Sequence, residues 1–224
     1  MMTALNKIAK SNLSEQVYSS IRESLMEGRY QPGDRLTIAS LAEQLGVSIT
    51  PVREAIFRLV TERALEMRAA TSIHVRRLTP EELREIQTIR HHIEGEASAQ
   101  AALRISPSEL RELEKLQAAF SRAAATDPVE ASRLNREFHF RVAEAGEMPQ
   151  MLAIIEGMWA QMGPLIHMYH LNTPRRVLVS EDHGHYPVLR ALAARDPEAA
   201  RQAIQADIGV GSVMVDWLET NGVV

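Results

Sequence analysis

Four times the chain repeats one piece of punctuation: Thr79-Pro80-Glu81-Glu82, Ser106-Pro107 with Glu109, Asp127-Pro128 and Asp196-Pro197. A hydroxyl or carboxylate at the N-cap accepts a hydrogen bond from a free N–H of the first turn, and proline at the next position lacks an N–H that would be unpaired there anyway. Thr79 with Glu82 has the spacing of a reciprocal capping box. Each signal opens a long stretch of helical periodicity, and the pattern predicts helices near 80–103, 107–125, 128–145, 149–171, 184–195 and 197–219. No segment beyond residue 78 has strand character, so this part is expected to be an all-α antiparallel bundle. The Gly163-Pro164 pair is expected to kink or break the fourth of these helices.

The first third reads differently. Ser14 can cap a helix carrying Val17, Ile21 and Leu25 on one face, with Gly28 as its stop. Gln31-Pro-Gly-Asp34 is a turn. Leu41, Ala42 and Leu45 give the next helix an apolar face that ends at Gly46. Ser48 can cap a third helix with Pro51 in its first turn. Val52, Ala55, Ile56 and Leu59 form the buried stripe of that helix, leaving Arg53 and Arg58 off it. This is the pattern of a helix-turn-helix, whose second helix enters a DNA major groove; an ordinary helical hairpin would satisfy the same periodicity. Leu65 and Met67, then Ile73 and Val75, alternate with polar residues on either side of Ala69–Ser72, which predicts a short hairpin, the wing of a winged helix. The expected fold is therefore mainly α, with a winged helix-turn-helix domain over 12–78 and an all-helical domain over 79–224 for ligand binding and dimerisation. Residues 1–12 read as a mobile arm.

Charge supports this division. The chain has a net charge of −4, yet residues 1–78 carry eleven Lys and Arg against eight Asp and Glu, while residues 79–224 carry fourteen against twenty-one. A mildly basic front of +3 and an acidic back of −7 suit a DNA-binding module joined to a domain with another task. The absence of cysteine excludes disulfides and thiolate metal sites. With no signal peptide and no apolar run of transmembrane length, the expectation is a cytoplasmic protein that does not engage a membrane.

Three segments, Gly28-Arg-Tyr-Gln-Pro-Gly-Asp-Arg-Leu36, Leu41-Ala-Glu-Gln-Leu-Gly-Val-Ser48 and Thr50-Pro-Val-Arg-Glu-Ala55, resemble the GntR family of bacterial transcription regulators. Arg90 and Glu94, the Asn135–His139 pair, and His185 ahead of Val188-Leu189-Arg-Ala-Leu192 resemble the helical effector (FCD) domain of its FadR-type subfamily. The resemblance implies a homodimer that binds a palindromic duplex operator and responds to a small carboxylate metabolite. Hydroxyls at Ser48 and Thr50 suit phosphate contacts at a helix amino end. Arg53, one turn on, is the first choice for a bidentate guanine contact. Arg35 and Thr37 are expected on the DNA backbone. Arg53 and Arg58 have a solvated or salt-bridged face as their alternative, and Arg76 and Arg77 read as linker charges. This chain departs from the family at Ile49, where an arginine that reads guanine is usual. Isoleucine has no donor for a base edge, although it can touch a thymine methyl. The wing tip lacks glycine, and Ala64 stands where glycine is frequent.

Asn135 and His139 lie four apart and so project from one helical face. The resemblance adds His185 and Asp207 as further ligands, with the carboxylate at the last position instead of the first. Such a mixed N/O set suits Zn²⁺, Ni²⁺, Mn²⁺ or a similar divalent ion. His183 is a substitute for His185. Arg90 has two readings, a partner for Glu94 one turn later or a clamp on an effector carboxylate, for which Asn135, His139 and His185 complete the site. Arg136 and Arg141 rank lower, and His167, Tyr169 and His170 either line the same cavity or pack. Two other functions fit less well: a DNA-binding protein whose helical domain only dimerises, and a metal-dependent enzyme, for which no motif such as His-Glu-x-x-His is present.

Overall fold

In the computed structural model, residues 13–69, 72–172 and 185–222 are described. The expectations for the arm over 1–12, for residues 70 and 71 of the wing tip and for His183 lie outside them. Helices α1 (Leu13–Met26), α2 (Ile38–Leu45) and α3 (Ile49–Thr61) form the N-terminal part with strands β1 (Arg35–Leu36), β2 (Leu65–Ala69) and β3 (Ser72–Val75). The rest is helical: α4 (Pro80–Arg104), α5 (Pro107–Thr126), α6 (Pro128–Ala145), α7 (Pro149–Asn172), α8 (His185–Ala194), α9 (Pro197–Val210) and α10 (Ser212–Asn221). The mainly α reading with a small wing sheet holds.

The helix starts follow their punctuation. Thr79 and Ser106 each accept from the backbone of Glu82 and Glu109 while those glutamates accept from the cap N–H, two complete capping boxes. Asp127 and Asp196 accept from two backbone N–H groups each. Ser14 does not cap: it lies within α1, and its hydroxyl donates to Glu54 of α3. The wing hairpin forms as the alternation predicted, and its register pairs Leu65 with Val75 and Met67 with Ile73. The unexpected element is β1, which pairs Arg35 with His74 and Leu36 with Ile73 and completes a three-stranded sheet of order β1-β3-β2.

One helix expectation is corrected, and of the kink or break expected at Gly163-Pro164 the break does not occur. The stretch 197–219 is not one helix: the chain turns at Gly211, between α9 and α10. There Gln87 of α4 donates to the Gly211 carbonyl at 2.7 Å, and a side chain at 211 would meet that amide. The Gly163-Pro164 pair does not break α7, which runs through both. Ala160 through Ile166 are all buried among neighbouring helices, and this packing outweighs the roughly 3 kcal/mol that an interior proline costs a helix.

Gly163 is there for close approach. A Cβ at this position would lie 2.6 Å from the Leu25 carbonyl oxygen and 2.7 Å from Met26 Cα. Both neighbours are backbone, so α1 cannot accommodate the extra atom without moving. Gly163→Ala is expected to lower stability by about 1–3 kcal/mol by overpacking, despite alanine's better helix propensity; urea unfolding of the two proteins measures it. One apolar core runs through this contact, from Leu25, Ile56, Leu59 and Ile73 of the N-terminal part to Leu83, Trp159, Met162 and Leu218 behind it. A second, around Phe138, Val142, Val188 and Ile204, holds α4, α5, α6, α8 and α9 together.

Candidate functional site

The third helix is presented as its sequence requires. Val52, Ile56 and Leu59 are fully buried and Ala55 nearly so, which fixes the rotation of α3 on the core. Ahead of it Gly46 takes φ 64°, the left-handed conformation that ends α2, and its N–H returns to Ala42 and Glu43. Thr37 caps α2, accepting from Ser40 N at 3.2 Å. Ser48 has an extended backbone at the N-cap of α3, but its hydroxyl makes no cap bond. Ser48, Ile49, Thr50 and Arg53 are exposed, as are Arg35 and Thr37. Among the described residues Arg53 and Arg35 have no ion-pair partner. Arg58 does: it bonds Glu15 at 2.7 Å and Glu62 at 3.0 Å, with its guanidinium 3.5 Å from the Tyr18 ring centroid. Arg58 is therefore a strut between α3 and α1, the salt-bridged alternative. Arg76 is also more than a linker charge. It bonds Glu82, the capping-box residue of α4, and the Arg63 carbonyl, tying wing to helix across the junction.

The second cluster lies inside the helical part. His139 of α6, His185 at the start of α8 and Asp207 of α9 bring one ligand atom each within 4.8 Å of one another. His139 Nε2 is 3.1 Å and His185 Nε2 3.9 Å from Asp207 Oδ2. The other nitrogen of each ring is held from behind. His139 Nδ1 donates to Glu94 Oε2 at 2.8 Å, and His185 Nδ1 to Gln117 Oε1 at 2.6 Å. Such partners fix ring orientation and tautomer in metal sites. The His185 ring stacks on Phe138 at 3.9 Å and 12°, and Trp159 flanks His139. Two Nε2 atoms, each on a ring aimed by a buried neighbour, and a carboxylate oxygen fit a divalent ion of the Zn²⁺, Ni²⁺ or Mn²⁺ kind. Asn135 stands one turn before His139 on α6 and is half-buried.

Electrostatics knit the cluster into a buried network. Burial disfavours the His139 imidazolium, but Glu94 and Asp207 outweigh it and raise its pKa. Burial likewise opposes the Glu94 carboxylate, and Arg90 and His139 hold its pKa well down. Arg90 is itself buried. Its Nε donates to Glu94 Oε1 at 2.5 Å, its Nη1 lies 3.7 Å from Met162 Sδ, and its guanidinium sits 4.5 Å over the Trp159 ring. Of the two readings for Arg90, the Glu94 partnership is the arrangement present.

The remaining residues divide by position. Arg136, one turn before His139, reaches across to α1 and bonds Glu23 at 2.7 Å. On α7, Glu156 lies one turn before Trp159 and pairs with Arg22 of α1 at 3.0 Å. Arg141 is on the surface beside Glu144. Tyr169 packs edge-on against Trp217 of α10, and His167 lies against Gly28. The reading of the sequence missed Gln117, Phe138 and Trp159 at this cluster. The signal for Gln117 was available: it is the polar residue in the buried stripe of Leu113, Phe120 and Ala124 on α5.

Comparison with known proteins identifies the family of the chain. Residues 13–75 match the family described as bacterial regulatory proteins, gntR family, and residues 85–209 match the FCD domain. The chain is 34% identical over 205 residues to the HTH-type transcriptional regulator McbR of Escherichia coli K12, covering 91% of this chain and 92% of that protein. It is 28% identical over 209 residues to the Exu regulon transcriptional regulator of the same organism, covering 86% and 80%. The solved structure of E. coli McbR/YncC superposes with a TM-score of 0.85 at 31% identity, over 94% of this chain and all of that one. A putative GntR regulator from Rhodococcus sp. RHA1, 21% identical, shares the fold with a TM-score of 0.72 over 92% and 99% of the two chains. These relatives are transcription regulators, so an enzyme is not indicated. The chain belongs to the gntR family of bacterial regulatory proteins: it is a transcriptional regulator that joins a helix-turn-helix module to an FCD domain.

Proposed function

We propose that this regulator binds a palindromic duplex operator as a homodimer, and that a small organic acid, held with a divalent metal in the FCD domain, changes its operator affinity. The division into a reading domain over 12–78 and a sensing and dimerising domain over 79–224 belongs to the same proposal, as does a cytoplasmic setting; no helix among the described residues is long and apolar enough to cross a membrane. The observation that carries the sensor is the convergence of His139, His185 and Asp207, with Glu94 and Gln117 orienting the two imidazoles. Asn135 is the fourth ligand in this reading. A bound divalent ion would supply a fixed positive charge for a carboxylate. Arg90 contributes by keeping Glu94 ionised behind His139, and an acid entering the cluster would share that guanidinium.

The same helices that position the cluster touch α1. His139 and Arg136 belong to α6, Trp159 and Glu156 to α7, and the two outward residues grip adjacent positions, Glu23 and Arg22, on α1. Helix α1 in turn is tied to the reading helix through Ser14–Glu54 and Arg58–Glu15. A shift of α6 or α7 on binding therefore has a short route to the DNA-reading face, which is the coupling between two sites that regulation requires.

Arg35, Thr37, Ser48, Ile49, Thr50 and Arg53 form the reading face in this proposal, with Arg53 on a guanine. Duplexes selected from a random pool test it. Arg53→Ala is expected to weaken binding to the selected duplex by roughly 10- to 100-fold, the worth of a bidentate base contact, and to change binding to a scrambled duplex far less. Equal losses on both duplexes would make Arg53 a general charge, and no loss would remove it from the interface.

A further inference from the structure

Two large apolar side chains stand exposed on α3, Ile49 at 47% and Phe57 at 51%. Their surroundings differ. Phe57 lies on the stretch of α3 that α1 covers, between Glu54, bonded to Ser14, and Arg58, bonded to Glu15. Ile49 opens the helix, beside the exposed hydroxyls of Ser48 and Thr50 and one turn before Arg53, which has no ion-pair partner among the described residues. Neither local structure nor packing explains an isoleucine there. A β-branched residue is a modest helix former, it caps nothing, and the core face of α3 is already complete in Val52, Ala55, Ile56 and Leu59.

The major groove offers one kind of apolar feature on a base edge, a methyl group on pyrimidine C5. Thymine carries it, and 5-methylcytosine carries the same group in the same place. We infer that Ile49 makes this regulator a reader of a pyrimidine 5-methyl group, set beside the base pair that Arg53 reads. The inference rests on α3 being the DNA reader. Four residues of helix advance about 6 Å along the axis, so the methyl group belongs within about two base pairs of the Arg53 contact. The chemistry read is the methyl group and not the base, so a methylated cytosine substitutes for thymine at that position.

Binding of the full chain to its selected duplex provides the test. Each thymine is replaced in turn by deoxyuridine, which removes only the methyl group, and each cytosine by 5-methylcytosine, which adds it. Wild-type protein is expected to lose about fourfold in affinity at one thymine position per half-site, the effect of burying one methyl group. At that position a C·G pair should bind better when its cytosine is methylated. Ile49→Ala is expected to bind thymine and deoxyuridine duplexes alike; because Ile49 is exposed, a melting curve matching the wild type checks that the fold is intact. Indifference of the wild type to every methyl group would overturn the inference, as would a methyl effect that survives in Ile49→Ala. A chain that selects no duplex at all would instead overturn the DNA-reading role of α3.

Discussion

Replacing Arg90 by alanine is expected to lower the free energy of unfolding by about 3–5 kcal/mol, the range for breaking a buried ion pair from one side. The size comes from what is left behind. Glu94 is buried at 3% exposure, and Arg90 is one of two cations that keep it charged. His139 holds only its Oε2; Oε1 would lose its bond at 2.5 Å, and Trp159 would lose the cation over its ring. The loss should be much smaller in Arg90→Met with Glu94→Gln, because no unpaired charge then remains and the methionine fills most of the arginine's volume. Urea unfolding of the wild type, the single and the double variant decides between a charge effect and simple loss of volume. If the double variant is as damaged as the single one, packing and not the stranded carboxylate accounts for the result.

Phe138→Ala is expected to cost a similar amount, about 3–5 kcal/mol for removing a buried phenyl ring. Phe138 is fully buried in the core that joins α4, α5, α6, α8 and α9. It has a second role that a generic core residue lacks. Its ring lies flat against His185 at 3.9 Å, while Phe120 flanks the same imidazole at 5.1 Å. Deleting it should loosen His185 as well as the core. The thermal shift produced by Zn²⁺ or Ni²⁺ should therefore shrink in Phe138→Ala, while Leu192→Ala, in the same core, should lower the melting temperature without shrinking the metal shift. An undiminished metal shift in Phe138→Ala would show that the imidazole is held without Phe138.

Much of this architecture was legible because helix starts are written locally. Thr79, Ser106, Asp127 and Asp196 each act within three residues, so their capping could be read without knowing the fold. Where a helix runs on or stops against expectation, the cause has the opposite character. Whether Gly163-Pro164 breaks α7 depends on α1 lying against it, and the break at Gly211 is fixed by Gln87, 124 positions away. Strand β1 was hidden for the same reason, since two residues have no periodicity and exist as a strand only by pairing with His74 and Ile73. At the candidate metal centre, His139 and Asn135 could be placed on one face by spacing. His185 and Asp207 came from family resemblance, because no periodicity joins residues on three helices. Gln117, Phe138 and Trp159 were invisible as members of the cluster: each reads as part of an ordinary helical face until α5, α6, α7 and α8 are packed together. Arg136 and Glu156 show the limit most clearly, since their charges gain meaning only from the adjacent Glu23 and Arg22 on α1.

The central claim is that the buried cluster governs DNA affinity, and its most direct test is the dissociation constant for the selected operator duplex, measured by fluorescence anisotropy across a panel of small organic acids with Zn²⁺ or Ni²⁺ present. At least one acid is expected to change the wild-type constant by about 5-fold or more, the lower end of ordinary coupling between sites. A variant with His139→Ala and His185→Ala should bind the operator with an affinity that no acid alters. Acid effects of equal size in both proteins, or none in the wild type, would contradict the account.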